Sequence, residues 1–318
     1  GARAAYIGGA AASANTWSDL NLKVPADGTM AHSWIQSFDN EYDAFLAYAE
    51  AYPDNCNLLV DTFNTLKTGV PNAIRVAHEY LEPRGKRLKG IRLDSGDIAY
   101  LSKQARHMLD KAGLTDCKIF ASNSLDEFII RSLQNQGAQV DVYGVGEKLI
   151  TASSEAVFGG VYKLVAMQNP DGSYVPKIKI SDTFEKITTP AFKDIWRIYD
   201  RNDNHPVADV ITLDHEVIPD DGPYEIFDPL DVTKRKVLEN YYTHKLLVPI
   251  YEKGKLVYKL PTLNEIRKSC QKQVAELWEE VRRLENPHTY YVDLSQELWD
   301  LKTKLVREAR FKADHPEK

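Results

Sequence analysis

The feature that most constrains the fold is an alternation of strand and helix patterns between Asn57 and Gly146. Short apolar runs such as "NLLVDT" and "KGIRLD" predict buried strands, because they are brief and rich in aliphatic residues. The stretch "IAYLSKQARHMLDKAG" predicts a helix, because its apolar residues recur at helical spacing. Strands that alternate with helices in this way predict a parallel α/β sheet or barrel.

Four strands and three helices are predicted in this segment. The strands are "NLLVDT", "KGIRLD", "KIFAS" and "AQVDVYGVG", and the helices are "PNAIRVAHEYLE", "IAYLSKQARHMLDKAG" and "SLDEFIIRSLQNQG". Pro71 suits the first turn of the first helix, and Gly113 suits the end of the second. Asp97 is expected to cap the second helix, and Ser124 with Glu127 predicts a capping box at the third.

The polar and glycine-rich residues at the ends of these strands are the main candidates for a functional site. In a parallel α/β fold the carboxyl ends of the strands share one edge, and that edge carries the chemistry. The residues at the four ends are Asp61; Arg92 with Asp94; Ser122 with Asn123; and Gly144 with Gly146.

The rest of the chain is predicted to differ on either side of this segment. "AAYIGG" is predicted as a strand and "MAHSWIQSFDNEYDAFLAYAEAYP" as one long helix. After Gly160, runs such as "DIWRIYD" and "ADVITL" alternate as antiparallel strands do. Two amphipathic helices are predicted from Thr262 to Lys318, with a break at "NPHTYYVD".

Composition excludes several classes of function. The net charge of −6 argues against general nucleic-acid binding, although it leaves a local basic site open. The three cysteines, Cys56, Cys117 and Cys270, are far apart and form no metal pattern, which favours a reducing compartment. The sequence contains no apolar run long enough to span a bilayer, so no membrane partner is expected.

Two groups of residues each have a functional and a structural interpretation. Arg92, Asp94 and Ser95 suit a polyhydroxylated, charged ligand, because carboxylates accept bonds from sugar hydroxyls and arginine binds planar anions. The alternative is that Arg92 simply pairs with Asp94. The glycine loop "YGVGEKLI" suits a phosphate held by backbone N–H groups, although a tight turn would also explain it.

His32 in "DGTMAHSWIQ" has two interpretations as well. An isolated histidine at a helix start is often a local hydrogen-bonding residue. An imidazole nitrogen can also serve as an acid, a base or a phosphorylated nucleophile. The position of His32 in the sequence does not decide between them.

The sequence resembles the nicotinate phosphoribosyltransferase family over most of residues 1–166. The motifs that carry the resemblance, in family order, are "GARAAYIGGA", "GTMAHSW", "VDTFNTLKTGVPNAI", "IRLDSGD", "FASNSLDE", "VYGVGEKLITA" and "VFGGVYKLVA". The segment "KIKISDTFEKITTPAFKDIWRIYD" resembles the family more loosely, with Pro190-Ala191 where the family usually has Pro-Gly.

The resemblance implies a type II phosphoribosyltransferase fold, an irregular α/β barrel with a β-rich return segment and C-terminal helices. It implies formation of nicotinate mononucleotide and pyrophosphate from nicotinate and phosphoribosyl pyrophosphate, in cytoplasmic NAD salvage. ATP is then a co-substrate hydrolysed through a phosphohistidine, Mg²⁺ is the cofactor, and a homodimer is expected. The expected regions are a barrel core over 1–166, a return segment over 167–261 and a helical region over 262–318.

The resemblance also implies roles for individual residues. His32 matches the phosphorylated histidine, Thr29 a nicotinate contact, and Arg92 with Asp94 the base and ribose subsite. The remaining matched or neighbouring positions are expected to bind substrate: Asp61, Ser95, Asp97, Ser122, Asn123, Gly144, Val145 and Gly146. Asp94 is also expected to be catalytic, Asp61 lies in the pyrophosphate and metal region, and the metal ligands are left open. Glu147 replaces a threonine of many relatives, so backbone contacts to phosphate are expected there.

The start of the chain departs from the family pattern. The resemblance implies a preceding region with a tyrosine and an arginine-rich segment that contact the nicotinate carboxylate. The chain is therefore expected to be part of a longer polypeptide. Three alternatives remain open: a nicotinamide-using sister enzyme, a fragment that binds ligand without turnover, and a sugar-phosphate enzyme on a related barrel. A quinolinate enzyme is disfavoured, because such enzymes use no ATP-coupled histidine.

Overall fold

A computed structural model of the chain describes residues 1–157, 159–183 and 186–315. The chain divides into two compact units, Gly1–Phe158 and Gly159–Lys318. Each is described by itself below. The three regions expected from the sequence remain a prediction.

The first unit is built on a four-stranded parallel sheet. Its strands are β1 (Asn57–Leu59), β2 (Gly90–Leu93), β3 (Lys118–Ser122) and β4 (Val142–Gly144), and they lie in this order in the sheet. All three neighbouring pairs are parallel. The alternation of strands and helices predicted from the sequence is thus confirmed, and all four strands end at one edge.

Helices precede, connect and follow these strands. They are α1 (Ala2–Gly8), α2 (Thr16–Leu22), α3 (His32–Gln36), α4 (Glu41–Ala51), α5 (Val70–Val76), α6 (Ile98–Lys111), α7 (Glu127–Asn135) and α8 (Glu147–Ile150). A π-helical turn (Thr65–Gly69) precedes α5, and a second π-helical turn (Ala77–Leu81) and a 3₁₀ turn (Glu82–Arg84) follow it. Gly69 lies so close to Val60 that an added Cβ would be 1.8 Å from the Val60 carbonyl oxygen.

The helix signals of the sequence are confirmed at α5 and α6. Pro71 stands in the first turn of α5. The Asp97 carboxylate accepts a hydrogen bond from the Tyr100 N–H at 3.0 Å and caps α6. Gly113 follows the end of α6 with φ +76°, a conformation that glycine adopts without a Cβ penalty. Asp97 and Gly113 thus mark the start and the end of the helix that connects β2 to β3.

Three local predictions are wrong. "AAYIGG" lies in helix α1, because a segment rich in alanine favours helix over strand. The predicted long helix is two helices, α3 and α4, since the Asn40 side chain accepts from the Asp43 N–H and caps a new helix. Ser124 does not cap α7: its φ is +52°, and Asp126 caps the helix through the Ile129 N–H.

The core of the first unit lies around its sheet. Leu58, Leu59, Ile91, Leu93 and Ile119 are fully buried. Helices on the sheet contribute further buried apolar residues, which include Phe45, Val70, Ala73, Val76, Ala105 and Leu109. Burial of this apolar surface is the main favourable contribution to folding and holds the strand ends in place.

The second unit is mainly antiparallel. Strands β5 (Ala166–Gln168) and β6 (Tyr174–Pro176) form one hairpin. Strands β7 (Lys193–Asp200) and β8 (Pro206–Leu213) form a longer one. The other strands are β9 (Tyr224–Phe227), β10 (Arg235–Leu238), β11 (Tyr241–Lys245), β12 (Tyr251–Glu252), β13 (Lys255–Leu256) and β14 (Tyr291–Leu294). The antiparallel pattern predicted after Gly160 is confirmed.

A four-stranded sheet in the order β11-β7-β8-β14 is the largest in this unit. Strand β14 pairs with β8 in parallel, and it occupies the break predicted at "NPHTYYVD". The helices are α9 (Leu263–Glu276), α10 (Glu279–Arg282) and α11 (Gln296–Asp314). Within the described residues, no helix combines the length and apolarity that a membrane crossing requires.

Candidate functional site

The first unit brings most of the predicted site residues together at the carboxyl edge of its sheet. Arg92 lies near the end of β2, and Ser122 ends the neighbouring strand β3. Thr29 and His32 come from the segment that leads into α3. Residues up to 93 positions apart in the chain, from Thr29 to Ser122, thus meet in one hydrogen-bonded cluster.

Arg92 is the centre of this cluster. Its Nε donates to the Ser122 hydroxyl at 2.8 Å and its Nη1 to the Thr29 hydroxyl at 2.9 Å. Its Nη2 donates to Asp94 Oδ1 at 2.9 Å, and a weaker contact of 3.4 Å joins Nη1 to the Met30 carbonyl. These bonds fix the plane of the guanidinium before any ligand arrives.

Asp94 links Arg92 to His32. Its Oδ1 accepts from both Arg92 and the Ser122 hydroxyl, while its Oδ2 lies 3.6 Å from His32 Nε2. Burial alone would raise the pKa of Asp94. Hydrogen bonds from Ser122 and Arg92, together with the positive charge of Arg92, outweigh burial and lower that pKa below its usual value. Asp94 is therefore held as a carboxylate.

Asp61 ties the ends of β1 and β2 together. Its Oδ2 accepts from the Asp94 backbone N–H at 2.8 Å and from the Ser95 hydroxyl at 2.6 Å. Its other oxygen, Oδ1, is buried and has no hydrogen-bond partner among the described residues. A buried carboxylate oxygen without a donor is costly, so Asp61 is available to a cation or a donor from a ligand.

The glycine loop lies at the next strand end. Gly144 is directly opposite Ser122 in the sheet register, and an added Cβ at Gly144 would be 3.3 Å from the Ser122 Cβ. Gly146 then caps the short helix α8, whose first residue Glu147 is exposed. The close approach favours a small residue at 144 and leaves an open backbone loop beside the cluster.

The remaining predicted residues lie at the edge in less connected positions. Asn123 is exposed and has φ +83°, in the left-handed region. The carboxylate of Asp97 is committed to capping α6, and Val145 lies between the two glycines. A role for these side chains in substrate binding stays a prediction.

One residue of the cluster was missed by sequence reasoning. The Thr62 hydroxyl lies 3.0 Å from His32 Nδ1, so it contacts the opposite nitrogen from the one that faces Asp94. Thr62 directly follows Asp61 at the end of β1. That position was the available signal, because every residue just after such a strand is a candidate for the same edge.

The arrangement has a clear chemical character. A fixed guanidinium, an ionised Asp94 and a half-exposed imidazole surround an edge that also carries an unpaired carboxylate oxygen and a glycine loop. Such a set can hold sugar hydroxyls and an anion and can stabilise developing positive charge.

The chain is similar to known nicotinate phosphoribosyltransferases. A model of the nicotinate phosphoribosyltransferase C-terminal domain matches residues 192–302. A nicotinate phosphoribosyltransferase of Bacillus subtilis (strain 168) is 46% identical over 312 residues, which are 98% of this chain and 62% of that protein. One from Dictyostelium discoideum is 33% identical over 352 residues, with 94% of this chain and 58% of that protein covered. The chain thus spans about three fifths of the length of these relatives.

Solved structures show the same similarity. The crystal structure of human nicotinic acid phosphoribosyltransferase superposes with a TM-score of 0.76 at 26% identity, over 96% of this chain and 66% of that one. A nicotinate-nucleotide pyrophosphorylase from Pyrococcus furiosus superposes with a TM-score of 0.57 at 22% identity and shares the fold. The α/β fold class predicted from the sequence is confirmed.

Proposed function

Because the chain belongs to the nicotinate phosphoribosyltransferase family, we propose that it forms nicotinate mononucleotide and pyrophosphate from nicotinate and phosphoribosyl pyrophosphate, with coupled ATP hydrolysis. The observation that carries the proposal is the cluster of Thr29, His32, Arg92 and Asp94. These residues match the family motifs "GTMAHSW" and "IRLDSGD", and they meet at one edge of the sheet.

In this proposal, Arg92 and Asp94 serve the reacting carbon and the base. Pyrophosphate leaves the anomeric carbon of the ribose through a cation-like transition state, and the pyridine nitrogen of nicotinate attacks that carbon. Asp94 remains ionised and can hold the ribose hydroxyls and favour the positive charge. Arg92, fixed by Thr29 and Ser122, orients the base against the ribose.

The glycine loop and Asp61 serve the phosphates. Gly144, Val145 and Gly146 hold the 5′-phosphate through backbone N–H groups, because a loop that contains glycines lets the backbone approach an anion closely. An added Cβ at Gly144 would also be only 3.3 Å from the Ser122 Cβ. The unpaired Asp61 Oδ1 is a hard oxygen of the kind that Mg²⁺ takes and would supply one ligand. The described residues contain no cluster of three or more histidine, cysteine or acidic side chains placed to hold a metal, so the other ligands would come from pyrophosphate and water. When bound, Mg²⁺ neutralises charge on the leaving pyrophosphate.

His32 couples ATP to this reaction. One of its ring nitrogens accepts the γ-phosphoryl group of ATP and releases ADP, and water later cleaves the phosphohistidine. The added negative charge arises next to Asp94, which is bonded to Arg92. Repulsion between the phosphoryl group and Asp94 alters the ion pair between Asp94 and Arg92 and so changes affinity for the phosphoribosyl donor. We further propose a cytoplasmic homodimer by analogy with the family.

A product assay tests the proposal. The purified protein is incubated with nicotinate, phosphoribosyl pyrophosphate, Mg²⁺ and ATP, with nicotinamide in a parallel reaction, and the nucleotides are separated by chromatography. Nicotinate mononucleotide is expected, together with ADP. Nicotinamide mononucleotide as the main product would support the sister enzyme, and donor binding without any product would support a ligand-binding chain.

The role of His32 has its own control. His32→Asn should lose the stimulation of turnover by ATP and the labelling of the protein by γ-labelled ATP. His107→Asn is the matched control, because His107 is exposed on α6 outside the cluster. ATP-stimulated turnover that persists in His32→Asn would contradict the coupling mechanism.

A further inference from the structure

Thr62 makes a contact that none of the roles above explains. Its hydroxyl lies 3.0 Å from His32 Nδ1, while His32 Nε2 lies 3.6 Å from Asp94 Oδ2. The imidazole is therefore met on one side by a neutral hydroxyl and on the other by a carboxylate. Among the described residues, no other side chain is hydrogen-bonded to Nδ1.

The two contacts select one tautomer of the neutral ring. A neutral imidazole has one N–H and one lone pair, and a carboxylate favours the N–H on the nitrogen that faces it. Asp94 is held ionised by Arg92 and Ser122, so the proton is placed on Nε2. Nδ1 then carries the lone pair and accepts the hydrogen bond that Thr62 donates.

Two consecutive residues after β1, Asp61 and Thr62, contact different parts of the site. Asp61 directs its Oδ2 to the backbone of Asp94 and to Ser95, which belong to the turn after β2. Thr62 directs its hydroxyl to His32 at the start of α3. A short helix of five residues fixes its first side chain poorly by itself, so this contact from the sheet supplies the constraint.

We propose that Thr62 is a positioning residue that orients the His32 ring and fixes its tautomer for phosphoryl transfer. The inference rests on the proposed coupling of ATP through His32. Nδ1 is then the nucleophile: its lone pair forms the bond to the γ-phosphorus of ATP while the bond from that phosphorus to the leaving oxygen of ADP breaks, and the Nε2 proton stays beside Asp94. As the new bond forms, the Thr62 hydroxyl turns its hydrogen bond from Nδ1 to an oxygen of the transferred phosphoryl group. Before transfer, the same hydroxyl keeps the ring from rotating by half a turn, which would exchange the two nitrogens. Asp94 supplies the charge that selects the tautomer, and Thr62 holds the ring in the corresponding orientation.

The test compares three variants of the whole protein. Thr62→Val keeps the branched shape and removes the hydroxyl, and Thr62→Ser keeps the hydroxyl and removes the methyl group. Thr115→Val is the matched control, because Thr115 is exposed just before β3, at the opposite edge of the sheet. The initial rate of labelling by γ-labelled ATP is measured for each, alongside the ¹⁵N chemical shifts of the imidazole at a pH where the ring is neutral.

The expected pattern separates positioning from a structural role. Thr62→Val should slow labelling about five- to tenfold, as the loss of one hydrogen bond predicts, while Thr62→Ser should stay within about twofold of the unaltered protein. The ¹⁵N signals of His32, identified by their absence in His32→Asn, should indicate one tautomer in the unaltered protein and a mixture in Thr62→Val. Equal labelling and unchanged ¹⁵N shifts in Thr62→Val would overturn the proposal.

The spectroscopic result does not depend on turnover. If the unaltered protein shows no labelling, the coupling mechanism fails, but the ¹⁵N shifts still report whether Thr62 fixes the tautomer. If labelling occurs and both substitutions at Thr62 slow it equally, rescue by the hydroxyl is absent and the positioning role is refuted.

Discussion

Each unit of the chain contains an arginine–aspartate pair in a β-sheet, and the two pairs differ in where they lie. Arg92 and Asp94 are at the carboxyl end of β2, with side chains 27% and 25% exposed. Arg197 and Asp209 stand directly opposite each other within the β7–β8 hairpin, with side chains 17% and 13% exposed. The first pair is open to a ligand at a strand end, whereas the second is enclosed along its strands.

The two arginine–aspartate pairs also differ in their hydrogen-bond partners. Asp209 accepts two parallel bonds from Arg197, at 2.8 and 2.9 Å, and one from the Tyr290 hydroxyl at 2.9 Å. These groups satisfy one another inside one sheet. Arg92 instead joins Thr29, Asp94 and Ser122 from three separate segments. A mutually satisfied pair contributes structural order, and a pair that gathers distant segments at an open edge creates a site.

The largest expected effect is the loss of activity in Asp94→Asn. The substitution removes the negative charge that faces the ribose, so kcat/KM should fall about 100-fold or more. The free energy of unfolding should change by only about 1 kcal/mol, because neighbouring polar groups at this partly open edge can find water. Product formation and urea unfolding, measured on the same preparation, check both parts. A stability loss that accounts for the whole decrease in activity would make the two pairs equivalent.

Asp209→Asn should produce the opposite pattern. It leaves the charge of Arg197 in an enclosed place without its carboxylate, so the protein should lose about 3 kcal/mol of unfolding free energy. The kcat/KM of the folded protein should stay within about twofold.

Tyr290→Phe is the graded control for this pair. It removes one hydrogen bond to Asp209 and keeps the ion pair, so about 1 kcal/mol should be lost. Urea unfolding gives both values. A loss of activity in Asp209→Asn at temperatures where the protein is folded would contradict a purely structural role.

Features of the first unit that depend on local sequence patterns can be predicted, whereas contacts between segments that are distant in the sequence cannot. The strands and the clustering of Arg92, Asp94 and Ser122 follow from periodicity and from the rule that parallel strand ends share an edge. The contact of Thr62 with His32 depends on how α3 is placed, and no local pattern encodes that.

The second unit shows the same limit. The pairing of Arg197 with Asp209 depends on strand register, which a sequence of alternating residues leaves undetermined. Strand β14 lies in what reads as a helix break, because it is short and needs β8 beside it. Capping errors such as Ser124 for Asp126 arise because several residues near a helix start can serve as the cap.

A smaller effect is expected from Asp293, a buried carboxylate of the second unit. Burial, together with the nearby charge of Asp228, raises the pKa of Asp293 to about 6. Between pH 4 and 6 the folded state therefore binds more protons at Asp293 than the unfolded state does. The contribution of Asp293 to stability thus falls as the pH rises through this range.

Asp293→Asn tests this pH dependence. The variant should gain about 2 kcal/mol relative to the unaltered protein on going from pH 4 to pH 7, because it lacks the charge that is costly to bury. The difference in urea unfolding free energy between variant and unaltered protein at the two pH values measures this gain. Asp39→Asn, at an exposed position before α4, is the control and should show no such trend. A constant difference at both pH values would contradict a raised pKa.

The smallest effect concerns Ala191, which stands where the related family usually has glycine. Its φ is +71°, in the left-handed region where a Cβ crowds the backbone, and its N–H donates to the Val165 carbonyl at 2.9 Å. The left-handed conformation costs a residue with a Cβ about 1 kcal/mol, and glycine avoids this cost but loses more entropy on folding. Ala191→Gly should therefore raise the free energy of unfolding by about 0.5 kcal/mol, measured in urea.

The control is Ala275→Gly in the last turns of α9, where the backbone is helical and glycine should lower that free energy. Changes of opposite sign in the free energy of unfolding at the two positions would show that Ala191 is strained by its backbone conformation. A loss of stability at both positions would show that the Ala191 methyl group contributes more by packing than its conformation costs.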